Sequence, residues 1–179
     1  MENKPVLAGI YKEFQEFTRD QNSVILGTVD RDNQPEASYA PVLKEVDHFY
    51  IYVSELSRHT LNLLEKPQAS LLFIEDEDKA KHLFARKRAT LQTRVNQVER
   101  DSERWNQVLE KMEGKFGEII QMLKPLEDFH LFELKPQSAG YVRGFAQAYR
   151  LEGEGLSEVT HIRDRGHGKS EKSPNNATK

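Results

Sequence analysis

The chain has 179 residues, 37% of them hydrophobic, a formal charge of −3 and a mean hydropathy of −0.74. That length supports one domain with a proper core, and the slight negative charge argues against a general nucleic-acid binder, which is normally basic. There is no cysteine, so disulfides, thiolate metal sites, iron–sulfur clusters and thiol catalysis are excluded, and any metal must be held by His, Asp, Glu or a cofactor.

Residues 5–21 predict an amphipathic helix, because Val6, Leu7, Ile10, Phe14 and Phe17 recur at helical spacing. The period then changes. Ser23 to Val29 reads as a strand, Asp30 to Pro35 as a turn rich in turn formers, Glu36 to Leu43 as a second strand and Phe49 to Val53 as a third. Short links between them suggest an antiparallel meander. Residues 57–65 predict a short helix capped by Ser57. Gln68 to Ile74 is apolar enough to predict a strand buried on both faces. Glu75 to Lys81 is acidic and helix-like, and Phe84 to Val98 reads as a long strand. From Trp105 to Leu123, apolar residues step by three and four for five turns, with Asp101 or Ser102 as cap and Pro125 as stop. Phe129 to Leu134 and Ala139 to Leu151 return to strand. After Gly153 the composition turns polar.

This order predicts a mainly β protein with α-helical insertions, built on a small antiparallel barrel over residues 1–152. A flexible tail over 153–179 follows. Small barrels leave apolar faces uncovered, so a homodimer is expected. No apolar run approaches the roughly 20 residues of a membrane span. Met1 to Pro5 lacks a signal peptide's apolar stretch. The expectation is a soluble, cytoplasmic protein with no membrane insertion.

Several short stretches form a pattern that spans nearly the whole chain in order. They are Ser38-Tyr39-Ala40-Pro41, Ser57-Arg58-His59-Thr60 with Asn62-Leu63, Ile74-Glu75-Asp76-Glu77, Leu83-Phe84-Ala85-Arg86-Lys87-Arg88, Phe116-Gly117-Glu118-Ile119-Ile120, Asp128-Phe129 with Leu131-Phe132, Gly144-Phe145-Ala146-Gln147-Ala148-Tyr149, and Gly166-His167. Together they resemble the HutZ/HugZ-type haem-utilisation proteins. These are a haem-degrading branch of the pyridoxamine-phosphate-oxidase-like superfamily, whose fold is the FMN-binding type of split β-barrel.

The resemblance implies a homodimer with haem, as substrate and cofactor, at the subunit interface. It implies oxidative cleavage of the porphyrin with O₂ and an electron donor or reductase, release of iron, and a haem-delivery protein upstream. It assigns His167 as axial ligand of the haem iron, with His161 as the runner-up. A neutral imidazole suits ferric haem, and Arg165 and Lys169 suit its propionates. The bland reading is a solvated histidine in a polar tail. Asp128 is the candidate partner of the ligand's second ring nitrogen, because a carboxylate there fixes the tautomer and raises imidazole basicity. Glu127 is its immediate rival, and an ordinary exposed acid is the bland reading.

Arg86 and Arg88 are two apart on a predicted strand and so share a face. That arrangement suits propionates or a hydrogen bond on the oxygen side of the haem. The alternative is a pair of surface cations opposing the acidic run 75–78. His59 and Arg58 open a helix whose free N–H groups suit an anion, and the alternative is a histidine packed against the barrel. Two other functions stay open. One is an FMN-dependent oxidoreductase of the parent superfamily, although the Arg-x-Val-x-x-Lys-type phosphate strand is absent where Ala37 to Lys44 stands. The other is a non-enzymatic haem storage or transfer protein.

Overall fold

The computed structural model describes residues 4–162. Helix α1 (Lys4–Arg19) is followed by β1 (Ser23–Val29), β2 (Pro35–Pro41), β3 (Leu43–Glu45) and β4 (His48–Ser54). Then come α2 (Arg58–Glu65), β5 (Gln68–Ile74), β6 (Arg88–Val98), α3 (Glu103–Phe116), α4 (Ile119–Leu123), β7 (Phe129–Gly144), β8 (Gln147–Glu152) and β9 (Glu158–His161). The strands form one antiparallel sheet in the order β2-β1-β5-β6-β7-β4-β3, with β8 on β7 and β9 on β8. The sheet curls without closing, as in a split barrel. No helix among the described residues is long and apolar enough to cross a membrane.

The inner face is built by alternation. Val24 and Leu26, Leu71 and Phe73, Ala89 and Leu91, and Phe132 and Leu134 all point inward, and Ile10 and Phe14 of α1 plug the space between them. Each of the larger side chains among them contributes about 1.5–3 kcal/mol on burial. A second core lies behind β4, where Tyr50 and Tyr52 pack with Leu131 against Trp105, Val108, Leu109 and Met112 of α3. The strand buried on both faces is therefore β4. In β5 the alternate residues Ser70, Leu72 and Ile74 are only half-buried, because no described element covers that side of the sheet. Ile25 and Tyr39 (70% exposed) lie on the same open face.

The structure decides or shifts several element ends. The five-turn helix breaks at Gly117, whose φ of 82° ends α3 before α4 begins; a left-handed residue ends a helix regardless of the apolar stripe beyond it. Ser102, not Asp101, caps α3, its side chain accepting from the Trp105 amide at 3.1 Å. Ser57 holds the N-cap position of α2 but makes no side-chain cap bond. The two C-terminal strands are one sixteen-residue strand, β7, which passes Pro136 by a bulge at Gln137 opposite Gln92 and Thr93. The sheet also runs past residue 152. A turn at Glu154–Leu156 returns the chain as β9, paired with β8 from Tyr149↔His161 to Glu152↔Glu158. The expected tail from Gly153 thus contributes a strand before the described residues end.

Half-buried polar groups tie the two cores together. The Glu133 carboxylate accepts from Tyr50 Oη at 2.7 Å and faces His48 Nδ1 at 2.9 Å, with Asn96 and Lys135 Nζ each at 3.4 Å. Burial alone raises its pKa, but those hydrogen bonds and the lysine charge outweigh it and hold the group at about 2. The folded value lies below the ordinary 4.5. Its stabilisation is therefore full above that value and is lost as pH falls toward 2. Glu133→Gln is expected to remove roughly 2 kcal/mol at pH 7 and to flatten the acid limb of the stability curve. Urea denaturation at pH 7 and pH 3 measures both; an unchanged acid limb would refute the assignment.

Candidate functional site

The candidate residues fall at two ends of the sheet. At the first, one row crosses four strands, with Ile74 beside Arg88, Arg88 beside Val142, and Val142 beside Ala148; the Ile162 amide donates to Ala148 O. Beside it lies a cleft of about 490 Å³ lined by Phe84, Arg88, Val142, Phe145, His161 and Ile162. Phe84 and Phe145 are 93% and 60% exposed. Aromatic rings left in water on two adjacent loops, framing a cation, are the surface to which an apolar ligand is drawn.

Arg88 opens β6 and donates through Nη1 to Arg86 O at 3.1 Å. No carboxylate pairs with its guanidinium among the described residues. Arg86 does not share the strand. Residues 83–85 form a tight turn, and Arg86 folds back so that its guanidinium donates to Glu75 O and meets Glu77 Oε1 at 3.1 Å. The expectation of two arginines side by side on one face is corrected: the strand begins two residues later, and Arg86 is neutralised where it stands. His161 stacks on Tyr149 with centroids 4.9 Å apart, its Nε2 3.1 Å from Ala146 O. Those contacts tie the imidazole to the edge of the sheet. His167, with Arg165 and Lys169, lies outside the described residues.

At the second end, Asp128 immediately precedes β7. Its Oδ2 accepts from Ser54 Oγ at 2.5 Å, and its carbonyl accepts from the Glu55 amide at 2.9 Å. Its other carboxylate oxygen accepts from no described group. The rival Glu127 is exposed. The same Ser54 receives the Thr60 hydroxyl on its carbonyl, which fixes the start of α2. There Arg58 is exposed and meets Glu36 at 3.2 Å and Asp30 at 3.9 Å. His59 is 6% exposed, with Nδ1 3.0 Å from Ser38 Oγ and a buried Nε2 without a partner. Burial pushes its pKa below 6.5, against a smaller opposite pull from Glu36. It is a neutral imidazole inside the protein.

The structure thus sets Asp128 on Ser54, turns Arg58 and His59 of the following helix toward Glu36 and Ser38 of β2, and brings Arg88 and His161 together around the aromatic cleft. It separates the two groups. Arg88 pairs with Val142 and Val98 with Leu131 on the same ladder. Ten residues of strand are roughly 33 Å, and Asp128 lies beyond Leu131. Sequence reasoning did not single out Phe84, Phe145 or Arg100, whose guanidinium binds the loop carrying Asp128. The available signal was that both phenylalanines lie inside stretches that carry the family resemblance.

Comparison with known proteins gives a consistent picture. The family model for pyridoxamine 5'-phosphate oxidase matches residues 10–143. The haem oxygenase HutZ of Vibrio cholerae serotype O1 is 43% identical over 157 residues, covering 88% of this chain and 89% of HutZ. A crystal structure of Vibrio cholerae HutZ, described there as the haem storage protein, superposes with a TM-score of 0.67 at 44% identity, covering 70% of this chain and 89% of that one. Campylobacter jejuni ChuZ superposes with a TM-score of 0.79 at 35% identity over 87% of this chain and 63% of ChuZ, so the chain spans less than two thirds of that relative.

The burial of His59 has a measurable consequence. Its imidazole should titrate below 6.5, and stability should fall as pH drops under that value, because the unfolded state then binds a proton that the folded state resists. Histidine NMR of the apoprotein checks this. A His59 midpoint at or above 6.5 would place the ring in contact with solvent or an anion instead.

Proposed function

We propose a function from one premise: the chain belongs to the pyridoxamine 5'-phosphate oxidase family, as a HutZ/HugZ-type member. It binds haem and cleaves the porphyrin ring oxidatively with O₂ and a reductant, releasing iron for use. The observation that carries this reading is the Arg88 cleft. Apolar aromatic walls suit a flat, largely apolar ligand such as haem, the guanidinium beside them is free to donate a hydrogen bond at the bound ligand, and the volume lies within the range of ligand sites. The described chain ends in the lining of that cleft at Ile162. His167 is five residues further along the chain, within about 17 Å of extended backbone.

The same distances support a homodimer. A His167 tethered to the Arg88 end cannot reach Asp128 of its own chain roughly 30 Å away, whereas Asp128 of a second copy has no such limit. The uncovered sheet face carrying Ile25 and Tyr39 is the surface that such a copy would bury. In this assembly His167 would hold the haem iron, and Asp128 would accept from its second ring nitrogen. Arg88 would supply a charge-assisted hydrogen bond in the cleft, with Arg86 securing the turn that precedes it. Arg58 and His59 line the Asp128 end. Haem supplies the redox reactivity. The protein contributes the ligand's basicity, the placement of a proton donor at Arg88 Nη, and walls that limit water.

The description of one HutZ structure as a storage protein supports a second reading, haem binding without turnover. Titration of the apoprotein with hemin, followed by ascorbate in air, separates the two. A Soret band that forms and then disappears is the expected result, and a Soret band that persists favours storage. His167→Ala should weaken hemin binding by about 10-fold or more and remove the histidine-ligated ferric spectrum, while His161→Ala should lower thermal stability and leave the spectrum. Normal binding by His167→Ala would remove the proposed ligand.

Arg88→Ala should leave hemin affinity within a few-fold and slow breakdown by about 10-fold or more, the scale of one charge-assisted hydrogen bond. Single-turnover decay of the Soret band measures the rate. Unchanged decay with collapsed affinity would make Arg88 a propionate anchor.

A further inference from the structure

We infer that Arg100 is a positioning residue that holds the Asp128 carboxylate in place, an assignment that rests on the role proposed for Asp128. Arg100 lies in the turn between β6 and α3, far from Asp128 in sequence. Its guanidinium takes the carbonyls of the loop that leads into β7. Nη1 donates to Lys124 O at 3.0 Å, and Nη2 donates to Leu126 O and Phe129 O, each at 2.8 Å, with Glu127 O at 3.5 Å. Asp128 thus sits between two residues whose carbonyls face one cation.

Three features make this a clamp rather than an incidental surface contact. The loop follows α4, a helix of five residues, whose terminal carbonyls have no further helical turn to satisfy them. Pro125 supplies no N–H to close the loop on itself. One planar fork of five donors is the side chain that can satisfy several carbonyls from a fixed position. The fork is itself fixed, because it lies 5.5 Å from the centroid of the buried Trp105 ring, with the Lys124 ammonium 5.0 Å from the same ring.

The geometry also explains what the clamp leaves open. Arg100 binds the backbone on both sides of Asp128 and makes no ion pair with its carboxylate, so the negative charge is not spent on the guanidinium. Ser54 Oγ fixes one carboxylate oxygen, and the other is available to a donor such as an imidazole N–H. A cation that gripped the carboxylate directly would lower its capacity to raise imidazole basicity. A cation that grips only the carbonyls orients it without that cost.

The test uses Arg100→Lys, which keeps charge and much of the Trp105 contact but loses the fork, and Arg100→Gln as a more severe change. In the apoprotein, backbone amides of residues 126–130 should exchange hydrogen about 10-fold faster in Arg100→Lys, the scale of one lost charge-assisted hydrogen bond. With hemin bound, its ferric spectrum and iron potential should shift in the same direction as in Asp128→Asn. In the double variant Arg100→Lys/Asp128→Asn the shift should equal that of Asp128→Asn alone, because the two act through one group. Full additivity, or a spectrum unmoved by Arg100→Lys, overturns the inference. Unchanged exchange in the apoprotein overturns it without reference to haem, whereas failure of the wild type to take up hemin overturns the functional reading and leaves the exchange measurement to decide the clamp.

Discussion

The length of β7 is the constraint on which the rest of the architecture depends. This strand pairs with β6 along one edge and divides the other between β4 and β8. It therefore carries the barrel core on Phe132, Leu134 and Tyr141, and it joins the second core through Leu131. Its two ends also fix the separation between Asp128 and the Arg88 cleft. A strand rises by about 3.3 Å per residue with little give. A sixteen-residue strand therefore sets that separation, which is the ground for proposing that a site drawing on both ends is shared between two copies of the chain.

Charge compensation distinguishes the arginines more sharply than their positions in the chain do. Arg58 meets Glu36, Arg86 meets Glu75 and Glu77, Arg104 meets Glu45 and Tyr50, and Arg143 meets Glu13. Each of these is absorbed by the fold. Arg88 touches a single backbone carbonyl beside two exposed aromatic rings. A guanidinium in that setting carries its charge toward an incoming anion without first breaking an ion pair. Among the described residues, this places a guanidinium without a carboxylate partner beside two exposed aromatic rings.

Histidine placement follows the same logic. His48 faces Glu133, His130 faces Glu55 and Gln97, His59 is buried against Ser38, and His161 stacks on Tyr149. Each of these four is engaged by the fold, and the proposed iron ligand, His167, lies outside the described residues. The Asp128 carboxylate is held by groups far apart in sequence: Ser54 on the side chain, and Arg100 on the backbone either side of it.

Much of this was legible in the sequence, because periodicity reports burial directly. The amphipathic first helix, the strands from Ser23 onward, the helix after Ser57 and the stripe beginning at Trp105 all emerge from apolar spacing alone. The ordered motifs from Ser38-Tyr39 to Gly144-Phe145 identified the family and, with it, the fold, and gave the basis on which haem chemistry is proposed. The residues Asp128, Arg88 and His59 were also named from those motifs. Periodicity could not report the break at Gly117, where the apolar stripe continues but the backbone turns left-handed. It could not report that β7 passes Pro136 by a bulge, or that the chain returns as β9 after Gly153. Nor could it show that Arg86 turns away from Arg88, that β4 rather than β5 is buried on both faces, or that Arg100 holds the loop before β7. Those features depend on which distant backbone groups need partners once the sheet has formed. A sequence records the donors and acceptors, but only the tertiary structure decides which of them meet.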